Sequence, residues 1–150
     1  MMGTDTKLQI LKERVQAVVD ATAGHVSFVL EDENGQRLEK NADVIKKAAS
    51  LIKIPIMMAA CKQVEAGRLN LSDRYFIDTA NIVGGAGVIQ FMDGRTSYSL
   101  KDLLTLMIAV SDNTATNKVI DIVGWSAVDD FCREQGLTNT SLERKMMDFH

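Results

Sequence analysis

The spacing of apolar residues changes character along the chain. Leu8, Leu11, Val15, Val18 and Val19 recur every three or four positions, which predicts an amphipathic helix from Thr6 to about Ala23. Thr6 with Gln9 has the pattern of a capping box at its start, and Gly24 supplies its stop. Residues 26–30 then read as a strand, Glu33-Asn34-Gly35 as a tight turn, and residues 37–40 as a second strand. Two strands do not make a stable sheet, so the hairpin is expected to belong to a larger antiparallel sheet, incomplete here, with the first helix packed over it.

From Ser50 onward the pattern reads as almost wholly helical. One helix is predicted over residues 50–66, ended by Gly67, with Pro55 tolerable only near its start. Residues 78–94 are glycine-rich and ambiguous, with a short helix over 88–92. Ser99 and Asp102 make an acidic capping box for a helix through Val110. Its second half, residues 103–110, is apolar nearly all round, which predicts a place in the middle of a bundle. Another helix follows Ser111-Asp112-Asn113 as far as Val123, and a last one, capped by Ser126, runs from Ala127 to Gln135 and stops at Gly136. Residues 138–150 read as a polar loop. The pattern thus divides into 1–47, helix and hairpin, and 48–150, all-helical. The class is α/β (α+β), mostly helical.

Composition narrows the function classes. With 150 residues, 46% of them apolar and 25% charged, this is one domain's worth of soluble globular chain. A net charge of −3 leaves no basic footprint for nucleic acid, and no apolar run reaches the length of a membrane span. The N-terminus has no apolar signal core: the chain is cytoplasmic as written, or extracytoplasmic if a leader has been removed, which the doubled methionine favours. Cys61 and Cys132 fall in apolar helical stretches and read as two free buried thiols. His25 and His150 have no ligand-spaced partners, so no metal and no cofactor is expected. Gly84-Gly85-Ala86-Gly87 lacks the pattern and the strand–helix setting of a nucleotide loop.

Two short motifs carry chemistry. Ser50 and Lys53 lie one helical turn apart in the apolar segment Leu51, Ile52, Ile54, Pro55 and Ile56. A serine hydroxyl needs a group to take its proton, and a lysine can do so when burial disfavours its ammonium form. The Ser50 N–H at a helix start is also a natural oxyanion donor. The structural alternative is that Ser50 is an N-cap and Lys53 a solvated first-turn residue. Ser111-Asp112-Asn113 offers a proton-relaying hydroxyl, a bracing carboxylate and an amide that both donates and accepts. Its structural alternative is again a simple N-cap.

In this order and setting the two motifs resemble those of the penicillin-recognising serine enzymes, the class A β-lactamases and penicillin-binding proteins. Ser50-Leu51-Ile52-Lys53-Ile54-Pro55, then Gly67-Arg68-Leu69, then LLTLMIAVSDNTATN from Leu103 to Asn117, carry the resemblance, which extends to Met147. It implies the β-lactamase/transpeptidase-like fold and an acyl-enzyme on Ser50 with a β-lactam or related acyl substrate, Lys53 being base or relay. It further implies that Ser111 passes a proton to the leaving nitrogen. Asn113 would hold the substrate amide and steady Lys53, and Asp112 would be structural.

Two departures qualify the resemblance. The family's Lys-Thr-Gly strand, with the second oxyanion donor, has no counterpart in the chain, so the sequence reads as the N-terminal part of such an enzyme, inactive without a complementary C-terminal piece. The register from Thr140, Leu142 and Arg144 places Met146 or Met147 where a class A enzyme carries its water-activating glutamate. Asp148 and Glu143 are the remaining candidates for that base. The alternatives to a β-lactamase are therefore a penicillin-binding-like acyltransferase or esterase with slow deacylation, and a non-catalytic fragment.

Overall fold

The computed structural model describes residues 4–148, with side chains from Gln9 onward. The chain divides into two compact units, Met1–Lys46 and Lys47–His150.

In the first unit, α1 (Thr4–Ala21) precedes β1 (Phe28–Glu31) and β2 (Arg37–Lys40). The helix begins two residues before the predicted start; the Thr6 side chain lies outside the described residues, and Gln9 donates to Glu13. The strands pair antiparallel, Phe28 opposite Lys40 and Glu31 opposite Arg37. Asp32 organises the turn between them: its Oδ1 accepts the N–H groups of Gln36 at 2.7 Å and Asn34 at 2.9 Å. These bonds, that of Gln36 foremost, hold the Asp32 carboxyl below the usual aspartate range. Of the apolar positions on α1, Leu11 and Val18 are exposed.

The second unit holds the buried core of the described residues, from Ile52 to Leu142. Its elements are α2 (Lys53–Glu65), β3 (Arg74–Ile77), β4 (Thr96–Ser99), α3 (Leu100–Ala109), α4 (Asn113–Val123) and α5 (Trp125–Glu134). Helix α4 packs against α2, α3 and α5, and α5 also packs on α2. Fully buried side chains such as Ile56, Leu103, Val119 and Ile120 contribute about 1.5–3 kcal/mol each on leaving water.

Four expectations are corrected here. Ser50 is not an N-cap: a 3-10 turn over Ala49–Ile52 leads into α2, and no side chain caps either start. The wholly helical reading misses a second antiparallel pair, β3 with β4, Arg74 opposite Ser99 and Ile77 opposite Thr96. These four-residue strands are joined by a long irregular connection, so no hairpin-turn signal announces them. Ser126 does not cap α5, which starts at Trp125 as the backbone swings through Gly124 at φ +84°. Finally, α3 is not the central helix. It buries Leu100, Leu103, Leu104 and Met107 but leaves Ile108 exposed, whereas α4 buries eight of its eleven residues.

Other features follow the sequence. Ser99 accepts from the Asp102 N–H and the Asp102 carboxylate accepts from the Ser99 N–H, both at 3.0 Å, so α3 opens on a complete capping box. Gly67, at φ +68°, closes α2 as a left-handed residue, with the Arg68 N–H turned back to the Gln63 carbonyl at 2.9 Å. Both cysteines are free as expected, but only Cys132 is buried; Cys61 is half-buried, contrary to the reading of two buried thiols. No helix among the described residues is long and apolar enough to cross a membrane.

Candidate active site

The two sequence motifs meet at the junction of α2, α3 and α4. Ala49 takes a left-handed φ of +46°, which costs a non-glycine residue about 1–2 kcal/mol, immediately before Ser50. Ser111 is also left-handed, at φ +56°, where the chain leaves α3 and the Asp112 N–H turns back to the Leu106 carbonyl at 3.1 Å. The result is a hydroxyl pair: Ser111 Oγ donates to Ser50 Oγ at 3.0 Å.

Lys53 completes the cluster. It is 2% exposed, which excludes the solvated first-turn reading. Its Nζ donates to the Ser111 carbonyl at 2.6 Å, to Ser111 Oγ at 2.8 Å and to Asn113 Oδ1 at 3.1 Å. Three acceptors match the three hydrogens of an ammonium. Burial nevertheless pushes the Lys53 ammonium down from the ordinary lysine range, against an opposing pull from the Asp112 carboxylate. The hydrogen-bonded path from Lys53 to Ser50 runs through Ser111.

Asp112, 1% exposed, is a bracing group. Its Oδ1 caps α4 by accepting from the Ala115 N–H at 2.9 Å, and its Oδ2 accepts from the N–H groups of Val88 at 2.7 Å and Ile89 at 2.9 Å. Asn113 is held on two sides: its Nδ2 donates to the Gly84 carbonyl at 3.1 Å, while its backbone N–H donates to the Ala86 carbonyl at 3.0 Å. Because Gly84 offers only an acceptor and Lys53 donors, the amide can point only one way. The glycine run set aside as a nucleotide loop is thus the surface against which Ser111-Asp112-Asn113 is built. Its legible signal was the glycines themselves, which mark close backbone approach.

The segment expected to carry a water-activating base lies on α4. Asn117 clamps Met146 in both directions, accepting its N–H at 2.7 Å and donating to its carbonyl at 3.1 Å. The Met146 side chain packs against the core, and Met147 sits exposed at φ +61°. A Cβ built on Gly85 would lie 2.7 Å from Asn113 Nδ2 and 3.2 Å from Met147 Sδ, so the Met147 thioether and the Asn113 amide flank the same glycine. Glu143 is exposed and accepts from Ser141. The Asp148 carbonyl accepts from Arg144. A separate cavity of about 170 Å³ borders Thr114, Asn117 and the Lys145–Asp121 ion pair, and includes none of Ser50, Lys53 or Ser111.

With this geometry in hand, comparison with known proteins is decisive: the sequence model described as the Beta-lactamase enzyme family matches residues 9–150. The chain belongs to that family. A β-lactamase of Rhodobacter capsulatus is 29% identical over 97% of this chain and 51% of its own length. The β-lactamase regulatory protein BlaB of Streptomyces cacaoi is 26% identical over 81% of this chain and 40% of its own. Among solved structures, a β-lactamase from Sphaerobacter thermophilus superposes with a TM-score of 0.83 at 38% identity, over 87% of this chain and 49% of that one. The structure of PBP-A gives a TM-score of 0.78 at 33% identity, over 94% of this chain and 54% of that one. A variant of PBP-A has been solved as its acyl-enzyme complex with penicillin G. The fold is therefore the β-lactamase-like α/β fold, and the chain spans about half the length of these relatives or less.

Proposed function

We propose that Ser50 is the nucleophile of a serine hydrolase that is acylated by β-lactams or related amide and ester substrates. The single observation that carries this reading is the hydrogen-bonded chain that runs from buried Lys53 through half-buried Ser111 to exposed Ser50. Family membership and the likeness to PBP-A, a variant of which forms a penicillin G acyl-enzyme, support it.

In acylation, Ser50 Oγ attacks the lactam carbonyl carbon while its proton passes to Ser111 Oγ and the Ser111 proton to Lys53 Nζ as free amine. The tetrahedral oxyanion is met by the Ser50 N–H. The carbon–nitrogen bond then breaks, and the leaving nitrogen takes a proton back through Ser111, leaving an ester on Ser50. Asn113 Nδ2 has two hydrogens. One is held by Gly84, and the other is available to the substrate's amide carbonyl. Asp112 acts only through the backbone it fastens.

Hydrolysis of the ester needs a base for water. Neither Met146 nor Met147 can serve, so we read the protein as a penicillin-binding-like acyl acceptor with slow deacylation rather than an efficient β-lactamase. The chain has no Lys-Thr-Gly tripeptide. On this reading a complementary segment supplies the second oxyanion donor, whose loss alone costs about 10²–10³ in rate, and the 150 residues by themselves do not turn over nitrocefin. A second, non-catalytic reading draws on the similarity to BlaB.

The test is covalent labelling of the full-length protein with a fluorescent penicillin, read on a denaturing gel. Labelling is expected in the parent, absent in Ser50→Ala and nearly absent in Lys53→Ala. Full-strength labelling of either variant sinks the assignment, and an unlabelled parent favours the non-catalytic reading.

A further inference from the structure

We infer that Gln90 is a positioning residue for Asn113, acting through the glycine loop; the consequence for acylation, though not the positioning itself, rests on the function proposed above. The Gln90 side-chain amide sits under the loop and donates both of its hydrogens to it, one to the Gly85 carbonyl at 2.6 Å and one to the Gly87 carbonyl at 3.1 Å. The carbonyls alternating with these, those of Gly84 and Ala86, point the other way and take the side-chain and backbone N–H groups of Asn113. Four consecutive carbonyls are therefore shared between two residues, Gln90 and Asn113. Gln90 fixes the even spacing on one side that Asn113 reads on the other.

The loop's other ties lie at its two ends, where Val83 bonds to Thr114 and the N–H groups of Val88 and Ile89 reach Asp112; between them Gln90 and Asn113 take the four carbonyls. Gly85 and Gly87 sit at φ +85° and +112°, a region that glycine enters without steric cost, and glycine loses more freedom on ordering than any other residue. Neither position can carry a side chain. A Cβ on Gly85 would meet Asn113 Nδ2 at 2.7 Å, and one on Gly87 would meet the Asp112 carboxylate at 2.3 Å. A segment that must be bare to approach the site is also loose, and two donors from one glutamine tie it down. If the tie is cut, the Gly84 carbonyl drifts, Asn113 loses the partner that fixes its amide, and its Oδ1 no longer faces Lys53 steadily.

The prediction concerns donors rather than bulk, so the variants separate the two. Gln90→Glu keeps the shape but offers no hydrogen to either carbonyl; Gln90→Ala removes the group; Gln90→Lys restores donors without the amide. Two readouts are taken on the full-length protein: hydrogen exchange of the Asn113 backbone and side-chain amides by ¹⁵N NMR, and the rate of Ser50 labelling by fluorescent penicillin. Glu and Ala variants are expected to exchange at Asn113 about three- to tenfold faster than the parent, with Lys closer to the parent. Labelling is expected to slow by a similar factor at saturating penicillin, since orientation rather than binding area is lost. Parent-like exchange at Asn113 in Gln90→Glu overturns the inference, as does Gln90→Lys behaving no better than Gln90→Ala. Faster exchange in a protein that penicillin never labels would retain the positioning role and remove the proposed function instead.

Discussion

Asp112→Asn replaces one oxygen with a nitrogen at nearly constant volume, so its cost reports hydrogen bonding and charge rather than packing. In the parent, three backbone N–H groups share the carboxylate: Ala115 on Oδ1, Val88 and Ile89 on Oδ2. Asparagine has only one oxygen to offer. Kept on the loop, it abandons the α4 cap, worth about 1 kcal/mol, and sets its NH₂ against the buried Ala115 N–H, about 1–3 kcal/mol more. The two remaining bonds fall from charge-assisted to neutral strength, about 1 kcal/mol each. The alternative orientation orphans two buried donors and is worse. The sum is about 4–6 kcal/mol, a large part of the 5–15 kcal/mol that holds a typical domain together. At about 2–4 °C per kcal/mol for a chain of 150 residues, the melting temperature should fall by at least about 8 °C, with a matching loss in the urea midpoint at unchanged slope. A loss below about 1 kcal/mol would falsify the view that this carboxylate fastens the glycine loop to α4.

Three further outcomes are expected. Because burial lowers the Lys53 pKa, the folded state gives up this proton before the unfolded chain does; the burial penalty is full below the lowered pKa, and stability from this group rises with pH between it and the unfolded value of about 10.4. The rate of Ser50 labelling should accordingly climb with pH and level off below about 10.4; a rate still climbing there refutes Lys53 as the proton acceptor. Gly87→Ala should cost several times more than Gly35→Ala in urea titrations: the former places Cβ 2.3 Å from the Asp112 carboxylate at φ +112°, the latter meets nothing within 4 Å at φ +75°, and equal costs would show that the loop simply moves. If, as proposed, Met146 or Met147 stands in place of the water-activating base, the penicillin adduct should remain on Ser50 for minutes or more, since general-base help is typically worth about 10²–10⁴ in rate. Mass spectrometry after rapid quench tests this, with Met146→Glu and Met147→Glu expected to differ in how far they speed release; an adduct that clears within a second means that another base acts.

How much the sequence decided by itself can be seen by comparing α3 with α4. The capping box at Ser99 and Asp102 and the left-handed Gly67 are local devices, in which neighbouring residues satisfy neighbouring backbone groups, and both were readable from spacing alone. The motifs around Ser50 and Ser111 were legible because the chemistry constrains residue types at fixed short intervals. Burial was not legible. Apolar α3 leaves Ile108 in solvent, while α4, written as NTATNKVIDIV, is the most buried helix because partners distant in sequence satisfy its polar groups: Val83 for Thr114, Met146 for Asn117, Lys53 and Gly84 for Asn113. A polar side chain can be buried at little cost only when such partners exist, and sequence spacing cannot say whether they do. The same holds for the β3–β4 pairing and for Gln90, whose two bonds have meaning only after the glycine loop has been folded onto Asn113. Local hydrogen bonding and residue chemistry are written in the order of the chain; which polar groups meet, and which apolar faces close, is settled only when distant segments pack.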